Sequence, residues 1–179
     1  MNWNLKPIQF KDLPTKSIST QRPPSKCYPP PFGITQLNFD GASKGNPGQA
    51  GSRGIFRDHS GNPLLLYPSN IGWETNNSAE LEGLWQGLIL AHQHRFFPLI
   101  IKGYSQILIN MVQQIIQGTS AEKISYSWCL AAHLENIEQL LARNKAITFK
   151  HIKRIGNKVV AHLANLGVLD NRPIHKGLV

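Results

Sequence analysis

From Ile34 to Phe39 the chain reads ITQLNF, apolar and polar residues in alternation, as in a strand that buries one face. This run ends at Asp40-Gly41, and Gly45-Asn46-Pro47-Gly48 predicts a turn. Residues 51–59 and 63–71 read as two further strands joined through Ser60-Gly61-Asn62, so the first three strands should form an antiparallel meander. The period then changes. Leu81, Leu84, Trp85, Leu88 and Ala91 recur at helical spacing and predict an amphipathic helix over 77–94. A strand over 99–102 follows Pro98, then helices over 105–117 and 127–143, the second with Leu130, Leu134, Ile137 and Leu141 on one face. A strand over 146–152 and a helix over 157–169, carrying Val159, Leu163 and Leu166, complete the order βββαβααβα. This order predicts an α/β fold: a mixed five-stranded sheet flanked by helices.

Residues 1–33 have a different texture. They hold seven of the twelve prolines, including Pro23-Pro24 and Pro29-Pro30-Pro31. Proline removes amide donors and fixes φ, so a basic leader that is extended or disordered is expected over 1–33. The folded domain is expected over 34–170, with a tail over 171–179. Pro7 and Pro14 interrupt any amphipathic targeting helix. The N-terminus lacks the apolar core of a secretory signal, and no apolar run approaches the roughly 18 residues of a membrane span. Cys27 and Cys129 form no disulfide framework or metal spacing. The expectation is an intracellular protein with no membrane partner, its compartment (nucleus, cytoplasm or organelle) left open.

Charge adds a partner class. The net charge is +9. Residues 1–33 carry five Lys/Arg against one Asp, 34–120 carry five against five acids, and 121–179 carry nine against four. Basic ends around a neutral middle suit a polyanion such as nucleic acid, because each neutralised phosphate releases counterions. A merely solvated basic surface is the alternative.

Three stretches carry chemistry: NFDGASKGNPG, GSRGIFRD and TNNSAELEGL, followed near the end by HIKRIGNKVVAHLANLG. Together they resemble the type 1 ribonuclease H domain over about residues 34–169, most closely its plant, retrotransposon-derived version. The resemblance implies a ribonuclease H-like fold and hydrolysis of the RNA strand of an RNA/DNA hybrid with Mg²⁺ or Mn²⁺. In that chemistry two ions about 4 Å apart stabilise the attacking water and the leaving oxygen, held by carboxylates.

The resemblance assigns four acidic positions. Asp40 and Glu80 fill the first two as catalytic, metal-binding residues. The third follows Gly103, where an Asp is expected and Tyr104 stands; the fourth is Ala161, within NKVVA. A phenol with a pKa of about 10 is neutral at pH 7, and alanine offers no side-chain oxygen. No other acid replaces them. Glu82 lies about 200° round the helix from Glu80, and Asp170 lies about 13 Å along the axis from Ala161. Glu74 and Asp58 sit at loop ends. Read without the resemblance, Asp40 before Gly41 is a turn starter, and Glu80, three residues after Asn77, matches a capping box.

The resemblance also assigns a grip on nucleic acid. Ser43, Lys44, Asn46, Asn76 and Asn77 would meet the minor groove and its 2′-hydroxyls. Lys150, Lys153, Arg154 and Lys158 would hold phosphates, or else form a solvated strand edge. Trp85 fits the core better than a stacking platform, and His92 and His94, at i,i+2, diverge on a helix. The expectation is therefore a domain that binds RNA or hybrid with its catalysis impaired. Two alternatives stand beside it: an active metal-dependent endoribonuclease, and a structural component of a ribonucleoprotein.

Overall fold

The computed structural model of the chain describes residues 28–124 and 130–152. Strands β1 (Thr35–Gly45), β2 (Gly48–Arg57) and β3 (Pro63–Glu74) precede helix α1 (Asn76–His94). Strand β4 (Leu99–Gly103), helix α2 (Gln106–Ile116), a 3₁₀ turn (Ala121–Lys123), helix α3 (Ala131–Ala142) and strand β5 (Ile147–His151) follow. The five strands form one sheet in the order β3-β2-β1-β4-β5. The β1–β2 and β2–β3 pairs are antiparallel and the β1–β4 and β4–β5 pairs parallel, so the sheet is mixed as the pattern predicts. The helix expected over 157–169 lies outside the described residues.

Boundaries differ from the sequence reading: β2 begins at Gly48 and not at 51, β3 runs on to Glu74, and two further differences bear on the site. β1 does not stop at Asp40-Gly41 but runs on to Gly45. Its ladder with β2 continues unbroken to Gly45 opposite Gly48, and these long-range bonds outweigh the local turn preference of Asp-Gly. Helix α1 starts at Asn76 because Thr75 caps it: its backbone is extended, and its Oγ1 accepts from the Ser78 amide at 3.1 Å.

The core lies between one face of the sheet and the helices. Leu37 and Phe39 of β1, Phe56 of β2 and Tyr67 of β3 pack with Leu81, Leu84 and Leu88 of α1 and with Leu134 and Ile137 of α3. Trp85 is partly buried against this cluster, its ring edge-on to His133. The Tyr67 hydroxyl, fully buried, donates to the Gly83 carbonyl at 2.7 Å, tying β3 to α1. Burial pushes the Tyr67 phenol well above its ordinary range, and the charge of Glu82 adds to the effect. The outer strand β3 carries Pro63 and Pro68 within its length. Among the described residues no helix is long and apolar enough to cross a membrane.

One contact sets the distance of α1 from the sheet. Gly41 lies so close to the first turns of the helix that a Cβ there would come within 2.2 Å of the Ala79 carbonyl carbon and 2.3 Å of the Glu80 nitrogen. Gly41→Ala is therefore expected to cost about 3 kcal/mol or more, since neither backbone can give way without opening the core. Urea unfolding by circular dichroism measures this directly, and a loss below about 1 kcal/mol would refute the constraint.

Candidate active site

Asp40 stands in the middle of β1, directly opposite Arg53 of β2. Ladder partners send their side chains to the same face, so the two meet. Arg53 Nη2 donates to Asp40 Oδ2 in an ion pair whose side chains are 10% and 8% exposed. Asp40 is thus no turn residue; it is a buried anion with a guanidinium against it. Asn38 and Gln36, two and four residues back on the same face, are buried as well, Gln36 Nε2 donating to Asn38 Oδ1 at 2.6 Å.

Glu80 is brought to this point by the close approach of Gly41 to the Ala79–Glu80 peptide, and it is 2% exposed. It does not complete a capping box. The cap is Thr75, which leaves Glu80 beyond the N3 position. Glu82 points elsewhere, as the helical angle predicts. Its Oε1 accepts from Gln86 Nε2 at 2.6 Å, and its Oε2 lies 3.0 Å from His133 Nε2 on α3. Asp58 is likewise engaged locally, accepting from the Ser60 and Asn62 amides and the Asn62 side chain. The Asn62 side-chain bond leads the causes that hold its carboxyl below the ordinary range.

Tyr104 follows β4 in a bend and is half-buried. The parallel ladder pairs Asn38 with Lys102 and ends there, so Tyr104 stands just past the end of β4, the strand next to the one that carries Asp40. Its carbonyl accepts from His151 Nε2 of β5 at 2.8 Å. Gly103 makes room for the Phe39 ring, which would stand 2.7 Å from a Cβ at that position. The Glu80 backbone thus lies against the segment that carries Asp40, and Tyr104 follows the end of the neighbouring strand β4, while Ala161 lies outside the described residues.

Among the described residues the side chains do not fit a bridged pair of divalent ions. Asp40 Oδ2 already faces a permanent cation, and a tyrosine follows the end of the neighbouring strand β4. Among the described residues no group of three or more His, Cys, Asp or Glu could hold a metal ion.

The residues expected to grip nucleic acid form a rim at the β1–β2 turn. The Asn76 Oδ1 accepts from the Ser43 amide at 2.8 Å, the Asn46 Oδ1 accepts from the Asn76 amide at 3.0 Å, and Ser43 Oγ donates to the Glu74 carbonyl at 2.7 Å. Three segments are latched together by side chains whose oxygens look inward. Lys44, Asn46, Asn76 and Asn77 are exposed on this rim. Lys150 is exposed on β5, whereas Lys153, Arg154 and Lys158 lie outside the described residues.

Two residues escaped the sequence reading. One is Arg53; its signal was available, since Asp40 is five residues before Gly45 and Arg53 five after Gly48. The other is Trp73, 70% exposed, which lies in a row across three strands: Lys44 pairs with Gln49, and Gln49 with Trp73.

A family model described as reverse transcriptase-like matches residues 38–167. A chain of Arabidopsis thaliana named as a ribonuclease H protein is 29% identical over 136 residues, covering 76% of this chain and 21% of that one. Ribonuclease HI of Streptomyces coelicolor is 39% identical over 79 residues, covering 44% of this chain and 33% of the other. The chain thus spans about a fifth to a third of the length of these relatives. Among solved structures, RNase H1 from the halophilic archaeon Halobacterium salinarum superposes with a TM-score of 0.65 at 26% identity, over 76% of this chain and 98% of that one. LC11-RNase H1 in complex with RNA/DNA hybrid superposes with a TM-score of 0.63 at 24% identity, over 74% and 94%, a likeness of fold.

The rim latch makes a local prediction. Asn76→Ala removes the acceptor of the Ser43 amide and should cost about 1 kcal/mol, with faster hydrogen exchange at Ser43 and unchanged protection in the core of β1. Unaltered exchange at Ser43 would show that the latch does not hold the turn.

Proposed function

The chain belongs to the reverse transcriptase-like family and carries a ribonuclease H-like domain, and on that premise we propose that it binds RNA or RNA/DNA hybrid with its hydrolytic chemistry impaired. The observation that carries the reading is the buried Asp40–Arg53 pair. The first carboxylate of the family pattern faces a guanidinium, and the third position holds a phenol. The plant, retrotransposon-derived origin belongs to the same proposal, as does the use of Mg²⁺ or Mn²⁺ in any residual cleavage. LC11-RNase H1, of like fold, is seen with an RNA/DNA hybrid, which supports the choice of ligand.

Binding does not depend on the lost acids. The rim offers exposed amides at Asn46, Asn76 and Asn77, a cation at Lys44 and an indole at Trp73. Polar groups of this kind suit 2′-hydroxyl and phosphate oxygens, and the indole suits a base or sugar face. The basic C-terminal third adds sequence-independent attraction.

Cleavage of a labelled RNA/DNA hybrid with Mg²⁺ or Mn²⁺ tests the catalytic half. No turnover above a buffer control is expected, and robust turnover abolished by Asp40→Asn would refute impairment. Filter binding across a salt series tests the other half. Lys44→Ala should weaken hybrid binding and lower the salt slope by about one. Trp73→Ala should weaken it with the slope unchanged. Binding by the unmodified chain that ignores salt would sink the phosphate contacts; co-purification with protein and no hybrid binding would favour the structural role in a ribonucleoprotein.

A further inference from the structure

We propose that Arg53 is the resident cation of this site: at Asp40 its guanidinium takes the place of a divalent ion, forming a fixed internal pair that shuts metal out. This rests on the reading of the site as an impaired nuclease centre and says what has become of it. The two residues are ladder partners in the centre of a hairpin, so the pairing is set by backbone register and not by a mobile side chain. Both residues are buried, Asp40 at 6% and Arg53 at 8% exposure. A guanidinium does not lose its proton, so the charge is permanent at every physiological pH. Arg53 Nη2 already engages one of the two carboxylate oxygens that a hard cation would bind. A second positive centre beside it would also be repelled at short range.

The proposal separates two uses of a buried carboxylate by the sign of one measurement. In an acidic cluster built for metal, the metal-free acids repel one another, so Asp40→Asn relieves repulsion and raises the melting temperature in EDTA. In a fixed ion pair the same change strands a buried guanidinium and lowers it. The experiment is thermal unfolding of the full chain in EDTA and again in millimolar Mn²⁺, with bound Mn²⁺ counted by electron paramagnetic resonance. For the unmodified chain we expect no bound Mn²⁺ and an unchanged melting temperature. Asp40→Asn should melt several degrees lower, by about 4 °C or more. Arg53→Gln should bind Mn²⁺ at least about tenfold more tightly than the unmodified chain. A rise in melting temperature for Asp40→Asn, or Mn²⁺ bound by the unmodified chain and lost in Asp40→Asn, overturns the assignment. If Asp40→Asn fails to fold, the Mn²⁺ comparison of the unmodified chain with Arg53→Gln decides: equal binding overturns it, and binding confined to Arg53→Gln supports it. Failure here is separable from failure of the functional reading. A chain that cleaves hybrid sinks the impaired nuclease, whereas a chain that does not cleave, but is stabilised by Asp40→Asn, sinks only the role of Arg53.

Discussion

The placing of Glu80 and of the polar rim relative to Asp40 depends on how near β1 runs to α1. A glycine at 41 lets the Ala79–Glu80 peptide lie against the strand. The helix cannot retreat, because Leu81, Leu84 and Leu88 are packed on Leu37, Phe39 and Phe56. Glu80 is thereby held next to the segment that carries Asp40. The same approach brings the start of the helix over the end of β1, where Asn76 reaches the Ser43 amide. An acidic centre and a polar rim thus follow from one missing methyl group.

Charge inside this frame is disposed in two ways. The Asp40–Arg53 pair is almost wholly withdrawn from water and joins neighbouring strands. Glu82 and His133 meet across α1 and α3 with side chains 14% and 26% exposed, so solvent shares in that contact. Buried charges seldom stabilise a fold relative to apolar residues of the same shape, but breaking one member of such a pair is costly. Under the proposed reading, that asymmetry gives Asp40 a reason to persist that owes nothing to hydrolysis: the fold needs its charge.

Much of this was legible in the sequence, and the failures have physical causes. Alternation and helical spacing found the five strands and the helices over the described residues, because those periods reflect which face is buried. Asp40-Gly41 misled as a strand end, since its local preference is for a turn while its actual partners lie on β2. The cap of α1 was assigned two residues too late because Thr75, Asn76 and Asn77 can all cap, and only the hydrogen bond to Ser78 singles out Thr75. Arg53 was passed over because a cation within a strand announces nothing until the hairpin is counted back from its turn. Trp73 carries no periodic signal at all. The family pattern pointed to Asp40, Glu80 and Tyr104; composition alone would not have chosen them.

The outer strand β3 has a consequence for how the domain meets other molecules. A sheet margin normally offers a row of backbone donors and acceptors to any extended segment that drifts past. Pro63 and Pro68 remove two donors from that row, and shifts in the β2–β3 register at Ala50/Gly51 and Phe56/Arg57 break its regularity. Recruitment by strand addition is discouraged on this flank, and so is self-association of the kind that seeds fibrils. On this flank, contact with another molecule falls to side chains on the surface and not to a lengthened sheet.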